Sequence, residues 1–406
     1  MLLSLIAASG VLAVWSLLGR RMEGWRLTAP MVMVLAGIAV GFATLDDLAV
    51  SLNTDTAEHT AEIILAVLLF VDATHVRGGM FGGQPRAAMR VLFIAMPLSF
   101  AAAIALGLWL LPGLSWAVLV VIACIVVPID FAPAASILRD DRVPERVRNL
   151  LNVEAGYNDG IVSPLFIFAL VLAEKTSRAD TPLEALGAAV PEAAIAILVG
   201  LAVGAALALA ANAAQQRDWM THQSARLVLV AAPLLAFGLS LSVGGNGFVA
   251  AFVCGLAFNN LRRSSDIRAE LELVDDLGFL LTVAMWLAFG ATSVMALRSG
   301  VSAAAVVFCL LALTVVRILP VVVSLIGSRL PWGERLLVGG LGPRGTTSIV
   351  FGLLAFNALD GPDERTVVLV TVVAVLGSVI LHGVGGPAAA RTYAGVHGKV
   401  HGAPAK

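Results

Sequence analysis

The sequence predicts an all-α polytopic membrane protein of thirteen transmembrane helices, built as two inverted six-helix repeats joined by a linker helix, with the fifth and twelfth spans discontinuous. Three observations predict it. First, 59% of residues are hydrophobic and 13% charged, with mean hydropathy +0.94. Soluble chains run at about 45–50% apolar and about 25% charged, so little of this chain folds in water. Second, apolar runs near the length that crosses a bilayer fall at about 1–18, 29–43, 60–76, 91–111, 115–138, 152–173, 186–213, 227–242, 245–259, 277–297, 301–327, 335–357 and 366–386. Third, basic residues alternate between loops. With the N-terminus outside, inside loops carry Arg20, Arg21 and Arg26, then Arg77, Arg86 and Arg90, then Arg139, Arg142, Arg146 and Arg148. Later inside loops carry Arg217, Arg226, Arg262, Arg263, Arg268, Arg329 and Arg335, and the tail Arg391, Lys399 and Lys406. Only Lys175, Arg178, Arg298 and Arg365 fall outside, as the positive-inside rule expects of an odd span count with a cytoplasmic C-terminus.

The elements follow in order. Met1–Leu18 lacks a charged leading region and is followed by Gly19-Arg20-Arg21, so it reads as a first span rather than a cleaved signal. The third span ends in Phe70-Val71-Asp72-Ala73-Thr74-His75, placing Asp72 at the cytoplasmic funnel or in the interface. The fifth is interrupted by Pro128-Ile129-Asp130-Phe131-Ala132-Pro133 and the twelfth by Gly339-Gly340-Leu341-Gly342-Pro343-Arg344-Gly345. These occupy matched places in the two halves, and paired breaks of this kind point to a midplane site. Repeat one covers about 1–173, the linker helix about 186–213 and repeat two about 227–386, one transmembrane domain over 1–387. Gly244-Gly245-Asn246-Gly247 reads as a tight turn of close packing. The longest loops are expected near 44–59 and 260–276, the latter a solvated segment of mixed charge, and 388–406 is expected to be a short disordered cytoplasmic tail. Cys124, Cys254 and Cys309 lie singly in apolar runs and read as small core residues.

The candidate chemistry is carboxylate chemistry. An acid carried into lipid is costly unless it faces a polar cavity, so Asp159 and Asp130 mark an ion or proton path. Prolines flanking Asp130 free nearby carbonyls, including that of Ile129, and carbonyls plus a carboxylate suit a hard monovalent cation. Glu154 and Asn158 are four residues apart on one face of the sixth span, with Asp159 about 100° further round. A proton and a cation competing for the same oxygens give obligatory exchange. Arg317, deep in the eleventh span, needs an anion, and Glu154 is its candidate partner in a structural ion pair. Arg344 balances the acids, satisfies carbonyls at the break, or snorkels to the interface.

These segments resemble the monovalent cation:proton antiporter-1 family, the sodium/proton exchanger group. The motifs are Ile129-Asp130, Glu154-Ala155-Gly156-Tyr157-Asn158-Asp159, the basic loop Arg142-Val143-Pro144-Glu145-Arg146, Phe70-Val71-Asp72-Ala73, Gly245-Asn246-Gly247-Phe248-Val249-Ala250-Ala251-Phe252 and Gly342-Pro343-Arg344-Gly345. The resemblance implies a 13-helix inverted-repeat fold with a dimerisation domain and a moving core. It also implies sodium or lithium exchange for protons at Asp130 and Asp159, an Asn-Asp pair of the electroneutral kind, and a homodimer. Ile129 and Ala155 stand where the family has threonine and serine. Both changes delete hydroxyls beside the expected ion, which points to weak sodium binding, a preference such as potassium, or use of water or the Tyr157 hydroxyl.

The function expected is therefore a multi-pass cell-membrane antiporter exchanging Na+, Li+ or K+ for protons, with the lipid bilayer as its surroundings. No nucleic-acid partner is expected from a net charge of −1, nor any cofactor beyond the transported ions. No His-rich intramembrane metal motif or serine–lysine dyad suggests an enzyme. The alternatives are a sodium-coupled symporter of a small anion, with Arg344 as the substrate's cation, and a non-transporting pH or ion sensor on the same scaffold.

Overall fold

The computed structural model describes residues 2–25, 27–43, 54–75, 81, 83–173, 182–264 and 266–401, and every regular element among them is helical. The helices are α1 Leu2–Gly24, α2 Ala29–Ala43, α3 Asp55–Thr74, α4 Pro85–Leu110, α5 Trp116–Val126, α6 Glu145–Ala173, α7 Pro182–Gln216 and α8 His222–Ser242. There follow α9 Gly247–Leu261, α10 Ile267–Arg298, α11 Ala303–Ser324, α12 Trp332–Gly340, α13 Thr346–Ala358 and α14 Gly361–His401. Among the described residues seven helices are long and apolar enough to cross a membrane, and α2, α5, α9 and α13 are shorter apolar helices.

Local chemistry sets the ends. Ser115, Thr221, Asn246 and Asp266 accept backbone N–H groups at the starts of α5, α8, α9 and α10. Pro97 would leave a carbonyl of α4 without its donor, and the helix widens to π geometry over Val91–Ala95 just before it. Two interruptions fall where proline and glycine cluster. After α5 the chain is irregular through Phe131, then takes a 3₁₀ turn over Ala132–Ile137, and residues 341–345 separate α12 from α13.

The helices pack through small residues, as membrane helices do when lipid is as apolar as the partner. Gly37 and Gly41 of α2 lie against the backbone of α10 at Leu287, Gly290 and Ala291, too close for any side chain. Gly200 and Gly204 of α7 meet Ala250 and Cys254 of α9 in the same way. The turn at 244–247 is close-packed: Gly245 abuts Ser240 and Ile195, and Gly247 abuts Phe237. Two apolar cores result. The larger joins α4, α5, α6, α11, α13 and α14, and the smaller joins α3, α7, α8, α9 and the first turns of α10. Leu17, Trp109, Leu198 and Ile380 are among the large apolar side chains left facing outward. All three cysteines are buried and free.

Two expectations are corrected. The segment 260–276 is not a solvated loop, because α10 starts at Ile267 and carries Glu270, Glu272, Asp275 and Asp276 in its first turns. Acidic residues favour a helix N-terminus, and Glu270 is buried where Arg262 forks onto it at 3.0 and 2.6 Å. Of the tail expected to be disordered, the described residues 388–401 continue α14 as helix to His401, with Ala388-Ala389-Ala390 favouring the extension after Pro387. The loop expected at 44–59 lies outside the described residues up to 53, and α3 begins at Asp55.

Candidate ion-binding site

The two broken stretches meet. The Asp130 N–H donates to the Pro343 carbonyl at 2.8 Å, so residues 127–131 and 341–345 are held together. Four helix ends therefore converge, and each receives the charge its dipole favours. The Asp130 carboxylate accepts the N–H of Thr346 at 2.5 Å, at the N-terminus of α13, and the N–H of Ala132 at 2.7 Å. Arg344, 1% exposed, donates Nε to the Val126 carbonyl at the end of α5 and another nitrogen to Gly342. Arg317 donates to the Val338 carbonyl in the last turn of α12 at 3.2 Å. Gly345 has no substitute, because a Cβ there would occupy the space of the Asp130 carboxyl.

Arg317 also forks onto both oxygens of Glu154, a buried two-point pair joining α11 to α6. It sits behind the crossing and fixes α6 against both α11 and α12. On α6 the next turn carries Asn158 and Asp159, both buried. Asn158 Nδ2 donates to the Ile129 carbonyl at 2.7 Å. Asp159 accepts the Thr347 hydroxyl at 2.6 Å on one oxygen, and its Oδ1 has no hydrogen-bond partner among the described residues.

Asp159 and Asp130 line one chamber of about 290 Å³, large enough for a partly hydrated ion. Asp72, Asp275, Thr282, Thr346, Thr347 and Ala155 share its wall. The half-exposed pair of His75 Nε2 and Asp275 Oδ1, 2.9 Å apart, lies in its wall where α3 ends and the first turns of α10 begin. A separate apolar cavity of about 40 Å³ lies among α10, α13 and α14, bounded by Met285, Phe289 and Phe356. Among the described residues no three His, Cys, Asp or Glu side chains converge as a metal cluster, so the chamber's carboxylates are spread along a path.

Two oxygens expected in the chamber sit elsewhere. The Ile129 carbonyl faces the Asn158 amide rather than the chamber. Tyr157 is one helical step from Asn158 but turned away, with its ring stacked on Phe81 at 6.2 Å and edge-on to Phe252 at 6.0 Å. Its hydroxyl does not replace the missing oxygens. Arg344 is outside the chamber wall and donates to carbonyls at the break, one of the three roles the sequence left open for it. Sequence reasoning missed Thr346 and Thr347, which bring hydroxyls to the wall that Ala155 lacks. The available signal was three hydroxyl residues, Thr346-Thr347-Ser348, opening a helix directly after a break.

Comparisons with known proteins bear on the chain as a whole. The pattern of the family described as sodium/hydrogen exchanger, transmembrane, matches residues 7–391. A Na(+)/H(+) antiporter of Schizosaccharomyces pombe is 30% identical over 319 residues, 74% of this chain and 67% of that protein. The K(+)/H(+) antiporter NhaP of Alkalimonas amylolytica is 25% identical over 365 residues, 88% of this chain and 61% of that protein. The chain thus spans about two thirds of the length of these curated relatives. The solved sodium proton antiporter MjNhaP1 of Methanocaldococcus jannaschii shares the fold, with TM-score 0.78 at 20% identity over 96% of this chain and 98% of that one. A family pattern across nearly the whole chain, and relatives that are antiporters rather than enzymes, make this protein a member of the sodium/hydrogen exchanger family of multi-pass membrane proteins.

Proposed function

We propose that the protein exchanges a monovalent cation, Na+, Li+ or K+, for protons by alternating access, with Asp159 and Asp130 as the carboxylates that bind each in turn. The observation that carries this reading is the placement of both acids in the wall of one chamber, beside the meeting point of two broken helices. Asp130 is held by N–H donors from both breaks, which fixes its direction and leaves its charge to face the ion. Asp159 has one oxygen bonded to Thr347 and one oxygen free to take a proton or a cation. Hydroxyls from Thr346 and Thr347 take the place of those absent at Ile129 and Ala155. Asn158, Glu154, Arg317 and Arg344 position the backbone and helices around these groups, and Asp72 lines the approach.

The same reading has thirteen spans in two inverted repeats, at about 1–173 and 227–386 with the seventh span as linker, the N-terminus outside and the chamber opening to the cytoplasmic face. One proton leaving per cation makes the cycle electroneutral, and a homodimer is the assembly proposed. Proteoliposomes test the reading. An imposed pH gradient should collapse on addition of Na+, Li+ or K+, and Asp159→Asn should abolish the response. A wild-type protein silent to all three cations would favour the symporter or sensor alternatives.

A further inference from the structure

A second cavity, of about 470 Å³, lies beside the N-terminus of α4 and is lined by Arg86, Arg90, Arg146 and Arg329 together with Gln84 and Ser328. Its arginines come from three separate parts of the chain: the start of α4, the first turn of α6, and the link between α11 and α12. No carboxylate lines it. Arg90 spends one nitrogen on the Ile326 carbonyl at 2.9 Å, and Arg146 pairs with Glu334 at 2.9 Å. Arg86 and Arg329 make no ion pair among the described residues, and the neighbouring residues 76–80 and 82 contain no acid. The N-terminus of α4 carries no side-chain cap and opens at the same wall. Guanidinium forks and free helix-terminal N–H groups are the two devices that bind phosphoryl oxygens.

Basic loops are common on one face of membrane proteins, but topology asks only for their number and not for their convergence on one concavity. We infer that this cavity binds a phosphoryl group, carried by a lipid headgroup or free in solution, that bridges α4, α6 and the α11–α12 link. It is separate from the ion chamber, and its occupancy is readable without any transport measurement.

The test uses the full chain purified in a neutral detergent. One arm titrates inorganic pyrophosphate and reads the shift in melting temperature. The other adds phosphatidylglycerol or, as control, phosphatidylcholine, and reads retained lipid by native mass spectrometry. Saturable binding in the first arm alone assigns a soluble phosphate, and in the second alone a lipid. Arg86→Gln/Arg329→Gln should weaken the binding at least about tenfold. Arg263→Gln/Arg268→Gln, which removes equal charge from an exposed loop and helix start elsewhere, should leave it unchanged. If the first double variant does not fold, Arg86→Lys/Arg329→Lys keeps the charge but loses the fork, and should still weaken binding several-fold. The inference is overturned by no saturable binding of either probe, or by equal losses in both charge-removal pairs.

Discussion

At the scale of single residues, one hydroxyl and one glycine decide how the site is held. Thr347 donates to the Asp159 carboxylate, and a hydrogen bond to a charged group is worth about 1.5–3 kcal/mol. Thr347→Val should therefore lower apparent cation affinity about tenfold or more in proteoliposomes, with protein yield unchanged. Ala155→Ser restores a hydroxyl to the chamber wall and should raise affinity or alter selectivity. Ile129→Thr should do neither, because residue 129 is 0% exposed and its carbonyl is already bonded to Asn158. Gly345→Ala intrudes on the Asp130 carboxyl and should abolish exchange. The identities of the acids were legible in the sequence, because a carboxylate within an apolar run is costly and needs a reason. The hydroxyls were less legible: Thr346-Thr347-Ser348 stand directly after a break, but only the fold shows that Thr347 reaches Asp159.

At the scale of elements, two helix interruptions meet and each helix end is matched by opposite charge. Asp130 serves the N-terminus of α13, Arg344 the C-terminus of α5, and Arg317 the last turn of α12. Removing Arg317 leaves Glu154 buried and unpaired, which costs about 3–5 kcal/mol. Arg317→Ala should therefore lose folded protein on size exclusion, with a depressed melting temperature. The double variant Glu154→Gln/Arg317→Met should recover much of that loss, since neither side is then left as a lone charge. The breaks themselves could be placed from Pro128, Pro133, Gly342 and Pro343. That α10 begins at Ile267 could not be seen from charge density, because the stabilising contact, Arg262 on Glu270, closes only once the helix has formed.

At the scale of the whole molecule, both acids share one polar chamber, and a separate small apolar cavity lies among α10, α13 and α14. On the proposed mechanism protons and cations compete for the same carboxylates, so the cation concentration for half-maximal exchange should fall as pH rises from about 6 to about 8. Direct competition gives up to a tenfold change per pH unit, and a flat profile would separate the two binding events. A voltage-sensitive dye should register no potential during exchange if one proton leaves per cation. The exposed apolar faces of α1, α4 and α8 are consistent with lipid or a second copy, and native mass measurement in detergent should give twice 42.0 kDa.

Composition and spacing by themselves determined that the chain is a helical membrane protein, where its helices break, and which acids lie in lipid. Those properties follow from transfer cost and backbone chemistry, which act residue by residue. Only the tertiary structure decided which oxygens face the chamber, that Arg344 serves helix ends rather than the ion, and that Tyr157 packs against Phe81 and Phe252. These outcomes depend on the relative rotation and crossing of helices far apart in sequence, and the packing of small residues that sets such rotations leaves no periodic mark on any one helix.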